Sequence, residues 1–336
     1  MKVRVLPFQP HSLLFGGFEI QMLSAIEAAK EAGIDVAPLD VWSRDGVFDI
    51  LQLWGLEDSH FPAVTWGRRA GKRIIMSVLL PYITPQVVAR NLAGSMLGFK
   101  RTRRNILALV DRLVVVNSEQ AMTAERLLSF RSDKISIIPN IVEEIYFNHE
   151  EPTHENFNFG IEGYLVCTGN ICPRKNQLIL AQAAIEEAIP LLIIGRSLPG
   201  EEEYADALKK LIAKNANIRW VQGLPAHSPE LRAAYSKSVG FALISADETQ
   251  PISALEAAAM GKPLLLSDSP WAKQSFYKGA CLVNPFSIRS VRDGMRRMME
   301  LPNQFKVAAV HLEQCRRRRV AEAYSKAYAQ VMNDST

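Results

Sequence analysis

Apolar residues recur along this chain in short β-branched and aliphatic runs, each followed by a longer stretch with helical spacing, and that alternation predicts parallel α/β layering. In the second half the predicted strands are Tyr164–Ile171, Pro190–Arg196, Asn217–Leu224, Val239–Ser245, Lys262–Asp268 and Ala280–Pro285. The predicted helices there are Lys175–Glu187, Glu201–Lys214, Ser228–Lys237, Ser253–Met260 and Ile288–Met299. The first half repeats the theme, with strands at Lys2–Pro7, Asp49–Leu53, Arg73–Leu79, Leu113–Asn117 and Lys134–Pro139 and helices at Phe18–Ala32, Gln86–Leu109 and Glu119–Phe130. Strands this uniformly apolar are expected to be buried on both faces.

The periodicity fails over Asn148–Gly163, where Pro152, Thr153, His154, Asn156, Asn158, Gly160 and Gly163 stand among acidic residues, a linker composition. The 336 residues therefore divide into two domains of ordinary size, 1–150 and 151–315. A closing segment, 316–336, is expected to be a helix returning to the first domain. The expected fold class is α/β, two doubly wound Rossmann-like domains facing across a central cleft, with ligand bound at the carboxyl ends of the strands.

With 48% apolar and 22% charged residues the chain is not a disordered one. Its longest apolar runs, such as 191–195 and 74–80, are far below the roughly 20 residues of a membrane-spanning helix. The start, Met1 to His11, is broken by Pro7 and Pro10 where a signal peptide needs a continuous apolar core, so the expected location is cytoplasmic. Cys167, Cys172, Cys281 and Cys315 form no C-x-x-C pair and read as free thiols. No D-x-D occurs, which argues against a divalent ion held by paired aspartates, so no metal and no cofactor is expected.

The net charge of +4 is modest but uneven. Residues 59–110 hold nine Lys or Arg and no Asp or Glu, among them Arg101, Arg103 and Arg104 interleaved with Leu92, Met96, Leu97 and Phe99. A second run is Arg316–Arg319. Both patterns fit either a solvated helix face or an anionic partner. A basic amphipathic surface of this kind suits peripheral contact with an anionic membrane, at the inner face for a cytoplasmic protein; no nucleic-acid partner is expected.

The most informative stretch runs from Ser245 to Pro263, where a buried strand gives way to a polar loop and then to a helix opening near Ser253. The unpaired amides of that helix start, with the Ser253 hydroxyl, form a cradle for an anion. Glu256, in the expected first turn, fits a helix-stabilising carboxylate equally well. Glu248 and Glu256 stand eight apart before Ala257, Ala259, Gly261 and Pro263. Here the sequence resembles the retaining glycosyltransferases of family four, with the GT-B fold, whose pattern is E-G-F-G-x-P-x-x-E followed by A-x-A-x-G-x-P. The chain departs from it at Thr249 and Pro251.

Further stretches resemble the family in the expected order. Thr168 to Asn176 corresponds to a strand ending in G-R followed by a lysine; Lys175 matches, Asn170 replaces the arginine, and Arg174 could restore the charge at a position usually acidic in the family. Val221-Gln222-Gly223-Leu224 resembles the turn bordering the nucleotide base, Ile138-Pro139-Asn140 through Phe147 the family's I-P-N-G-V-D-x-x-x-F, and Gly16-Gly17 the glycine pair of the first loop. The family's first-domain histidine has no match after Ile74–Leu80, leaving His60 as the nearest candidate on the acceptor side, with Arg101, Arg103 and Arg104.

The resemblance implies transfer of a hexose from a nucleoside diphosphate sugar to a hydroxyl of a glycan or lipid-linked glycan, with retention. It implies that Lys175, Arg174, the Gly17 amide and the helix start at Thr249, Gln250, Pro251, Ile252 and Ser253 stabilise the leaving diphosphate. It further implies that Glu256 holds the ribose hydroxyls and Glu248 those of the sugar, with Gly16, Asn170, Gly223 and Leu224 also on the donor. The alternatives are a sugar-nucleotide epimerase of the same fold and a non-catalytic nucleotide-sugar or polyanion-binding protein.

Overall fold

The structure, a computed structural model, describes residues 1–13, 15–89, 101–148 and 157–334. The chain forms two compact units, one of Met1–Ile141 with Gln314–Thr336, the other of Val142–Glu313. The division thus falls at 141/142 rather than at 150, and the closing segment lies in the first unit. The expected linker overlaps residues 149–156, and the basic stretch residues 90–100, which are outside the described residues.

The first unit is built on one six-stranded sheet: β1 (Lys2–Pro7), β2 (Asp35–Pro38), β3 (Ile50–Trp54), β4 (Arg73–Ser77), β5 (Arg112–Val115) and β6 (Ile135–Ile137). All its pairings are parallel, in the order β2-β1-β3-β4-β5-β6. One face packs on the helices Gly17–Glu31 and Arg317–Asn333, whose Met22, Ile26, Val320, Tyr324 and Tyr328 join Val3, Val5 and Ile50 in one core. Tyr324 stacks on Trp54, and the Tyr328 hydroxyl donates to Gln52, which donates in turn to Ser77. The other face carries a second core under the helices Phe61–Arg69 and Arg101–Ala108.

The second unit repeats the plan with β7 (Leu165–Thr168), β8 (Leu191–Ile194), β9 (Ile218–Val221), β10 (Gly240–Leu243), β11 (Leu264–Ser267) and β12 (Cys281–Val283). The order is β12-β11-β10-β7-β8-β9, again all parallel. Its β7, β8, β10 and β11 are fully buried, the pattern of a sheet covered by helices on both faces. Gly195 has no room for a side chain: a Cβ there would stand 1.9 Å from the Gly169 carbonyl oxygen. That close approach lets the ends of β7 and β8 run side by side.

In each sheet the strand order reverses once, between β1 and β3 and between β7 and β10. The crevice beyond the carboxyl ends at such a reversal is where doubly wound sheets bind ligands.

The basic surfaces are less open than the sequence suggests. Arg103 meets Glu57 at 2.9 Å and Asp58 at 3.8 Å, while Arg68 and Arg73 share Asp111, so acids just outside the acid-free span cover part of its charge. Arg317 is likewise held by Glu27 and Glu31, and Arg318 and Arg319 by Glu322. Arg101 and Arg104 are exposed on the Arg101–Ala108 helix. No helix among the described residues is long and apolar enough to cross a membrane. All four cysteines are free and buried.

Candidate functional site

Lys175 and Glu248 come from the loops that follow β7 and β10, the two strands flanking the reversal in the second sheet. Two local devices bring them together. Asn176, at φ 61°, takes the left-handed conformation that asparagine tolerates, and its amide donates to the Pro285 carbonyl at 2.5 Å, fixing the Pro173–Lys175 turn. The Ala246 amide then donates to the Arg174 carbonyl at 2.8 Å, stitching the turn to the loop after β10.

The result is two cations on one carboxylate oxygen. Glu248 Oε1 lies 2.6 Å from Lys175 Nζ and 2.9 Å from an Arg174 guanidinium nitrogen, which also donates to the Asp247 carbonyl at 2.7 Å. Burial pushes the Glu248 carboxyl up, but Lys175 and Arg174 outweigh it and hold the group below its ordinary value. It is therefore ionised at neutral pH, and the cluster of three side chains keeps one net positive charge. Beside it opens the helix Ile252–Ala259, capped by Pro251. The Thr249 carbonyl accepts from Gln274 and that of Pro251 from Tyr277, while Gln250 is buried and Ser253 half-buried, so the loop is anchored from the segment 270–277.

The helix starts one residue earlier than expected, so Glu256 sits beyond its first turn and a capping role does not apply. Instead its carboxyl is buried among phenols. Tyr235 donates to Oε2 at 3.1 Å and shares a 2.9 Å hydrogen bond with Thr168, and His227 Nδ1 lies 3.8 Å from Oε1. Burial drives the Glu256 carboxyl up to about 8, only partly offset by the Tyr235 and Tyr146 hydroxyls and reinforced by Glu143. A helix amino terminus alone would have moved it down.

Asn170 follows β7 with its carbonyl accepting from Gln177 at 2.8 Å. Gly223, at φ 85°, and Leu224 follow β9; a Cβ on Gly223 would meet Arg196 at 2.9 Å. Arg196, at the carboxyl end of β8 and exposed, went unremarked in the sequence. So did His227, Tyr235 and Tyr146, which lie on three separate elements and carry no shared local motif.

In the first unit Gly16 and Gly17 open the helix that follows β1, beside that sheet's own reversal. The Gly16 amide donates to Glu19 at 2.8 Å, and the space a Gly17 side chain would fill is open. His60, the candidate on the acceptor side, is buried: its Nδ1 lies 2.9 Å from the Gly55 carbonyl, and burial holds its pKa below the ordinary value. It ties the turn after β3 in place. No group of three His, Cys, Asp or Glu side chains fit to hold a metal ion occurs among the described residues.

Residues 151–314 match the family model described as glycosyl transferases group 1. The O-antigen chain mannosyltransferase RfbU of Salmonella typhimurium is 27% identical over 175 residues, covering 51% of this chain and 46% of that protein. The D-inositol 3-phosphate glycosyltransferase of Nocardia farcinica is 27% identical over 176 residues, 49% of this chain and 39% of the relative. The chain thus spans less than half the length of the curated relatives it matches. The Anabaena protein HepE in complex with UDP-glucose superposes with a TM-score of 0.74 at 13% identity, over 98% of this chain and all of the other, a likeness of fold. Two parallel six-stranded sheets and the likeness to solved structures give the chain the GT-B fold, and over residues 151–314 it is similar to the group 1 glycosyl transferases.

Proposed function

We propose that this chain is a retaining glycosyltransferase that moves a hexose from a nucleoside diphosphate sugar to an acceptor hydroxyl, in assembly of cell-surface polysaccharide or glycolipid. The carrying observation is the convergence of Lys175 and Arg174 on Glu248 beside the start of the Ile252–Ala259 helix. A diphosphate leaving group develops negative charge, and preorganised cations and amides stabilise it without a metal ion. Glu248 fixes both cations before the donor arrives and offers its remaining lone pairs to sugar hydroxyls. Glu256 accepts from the ribose hydroxyls, and the departing phosphate takes the acceptor proton.

The O-antigen relative supports a glycan or lipid-linked glycan as acceptor, and the HepE complex makes UDP-glucose the first donor to try. The exposed Arg101 and Arg104 and the exposed Trp66, with Arg69 4.9 Å from its ring centre, support peripheral contact with anionic lipid at the cytoplasmic face. Incubation with a panel of sugar nucleotides, with and without a chelator, tests the reading. Slow release of free sugar and nucleoside diphosphate, in the α configuration from an α-linked donor and unaffected by the chelator, is expected. Release of nothing from any donor overturns it, and a chelator-sensitive activity restored by manganese overturns the metal-free part.

A further inference from the structure

The groups that face the Glu256 carboxyl come from three neighbouring elements: Tyr235 from the helix Pro229–Lys237, Tyr146 and Glu143 from the segment 142–148, and His227 from the loop after β9. None of these four is a lysine or arginine. Donor hydroxyls, however, need an ionised acceptor there if Glu256 is to bind them strongly.

We propose that His227 is a positioning residue for donor binding: it takes the proton of Glu256, so that the carboxylate can accept the donor's hydroxyls while the proton stays within the protein. This rests on the donor-site reading given above and extends it to a residue outside the family motif.

Three observations carry the inference. The first is which oxygen of the carboxylate the imidazole faces. Oε2 is taken by Tyr235, whose hydroxyl must donate to an ionised Glu256 and therefore accept from Thr168. Oε1 is the oxygen that His227 Nδ1 faces at 3.8 Å, with the Tyr146 hydroxyl also on the carboxyl. The second is exposure. The His227 side chain is 32% exposed against 7% for Glu256, so of the two it is the imidazole that can carry charge in contact with water.

The third is the backbone. His227 lies at φ 60°, a left-handed conformation uncommon outside glycine and costly for an ordinary residue. It is held there by two neighbours: the Ser228 amide donates to the Pro225 carbonyl, and the Ser228 hydroxyl caps the next helix by accepting from the Leu231 amide. That pinned loop aims the ring at the buried carboxyl.

The proton balance is simple. The O–H bond of the Glu256 carboxyl breaks, an N–H bond forms at His227 Nδ1, and a carboxylate and an imidazolium remain as a pair with the same total charge. Donor binding then needs no net release of protons. Without His227, a carboxyl titrating near 8 must lose its proton to solvent on binding at neutral pH.

The test is isothermal titration of the full chain with UDP and with UDP-glucose, between about pH 6.5 and 8.5 and in buffers of different ionisation enthalpy. Two variants are compared with the parent. His227→Asn suits the left-handed backbone, and Glu256→Gln removes the titrating group. For the parent, affinity is expected to be nearly flat with pH and proton release close to zero. For His227→Asn, release should approach one proton per ligand at neutral pH, and affinity should fall about tenfold for each pH unit below 8. Glu256→Gln should bind weakly with no proton release. A His227→Asn variant with the parent's flat profile, or a parent that itself releases one proton, overturns the proposal. The parent measurement keeps the second outcome available even where a variant does not fold. Absence of any binding by the parent overturns the donor reading, and this inference with it; binding with an unaltered proton count overturns only the role of His227.

Discussion

Glu248 and Glu256 are the same residue type, eight positions apart, yet their surroundings drive them in opposite directions. Glu248 meets two cations on one oxygen and is held ionised. Glu256, one helix turn deeper, meets phenols and an imidazole, and burial raises it to about 8. The pairing of glutamates in the motif therefore does not describe a symmetric pair of carboxylates. One belongs to a preorganised cluster of charge at the sheet reversal; the other is a buried carboxyl among phenols, which under the proposed function must be ionised to accept donor hydroxyls.

The largest way to break this contrast is to strip Glu248 of its nearer partner. Lys175→Ala should lower turnover by about 100-fold or more, the usual loss for one preorganised donor to a developing charge. It should also leave the half-exposed Arg174 as the cation paired with Glu248. Glu248→Gln should act chiefly on turnover and on discrimination among sugars. Equal losses for a free nucleoside diphosphate and for the sugar nucleotide would refute that division between Glu248 and Glu256.

The pH dependence of stability separates the two carboxylates next. Glu256 has its folded value raised from 4.5 to about 8, so the folded state binds its proton more tightly. Its contribution to stability is complete below 4.5 and is lost as pH rises toward 8, a penalty on the order of 5 kcal/mol above that value. Relative to the parent, Glu256→Gln should therefore gain stability as pH is raised through this window. Glu248 has the opposite sign: its value is lowered, so its contribution is present above 4.5 and disappears as pH falls below it. Urea unfolding of the parent and of each Gln variant across these pH values measures both. A parent-minus-variant difference that does not change with pH for Glu256 would remove the contrast.

How much of this was visible in the sequence follows from burial. Strands such as Leu191–Ile194 and Leu264–Ser267 are buried at every position and almost wholly apolar because both faces are covered. The edge strand Asp35–Pro38 was missed because one side of it faces no partner strand, so it tolerates Asp35 and Pro38. The helix Phe61–Arg69 was missed because Pro62 and Gly67 argue against a helix and only Val64 is buried. Pro62 is in fact in its first turn, and Gly67 lets it approach the sheet, where a Cβ would lie 3.2 Å from Ile74 and Leu51. At the site, Lys175, Arg174 and Glu248 were singled out through the family resemblance, and the structure brings the three side chains together. The phenols and His227 around Glu256 were not: Tyr146, His227 and Tyr235 are brought together only by tertiary packing, and a left-handed backbone at a histidine leaves no trace in composition.

The smallest expected effect lies within the Glu248 cluster and tests whether its two cations are equal. The side chain of Arg174 is 50% exposed, that of Lys175 11%. Solvent and salt screen the outer charge far more than the inner one, and exposed ion pairs contribute little. Arg174→Ala should thus cost about tenfold in turnover or less, and its effect should shrink as ionic strength rises, whereas the loss from Lys175→Ala should change little with salt. Turnover of the two variants on one donor at low and high salt measures this. If Arg174→Ala matched Lys175→Ala at both, Arg174 would be a full partner in holding the diphosphate, and the charge missing at Asn170 would be restored by it.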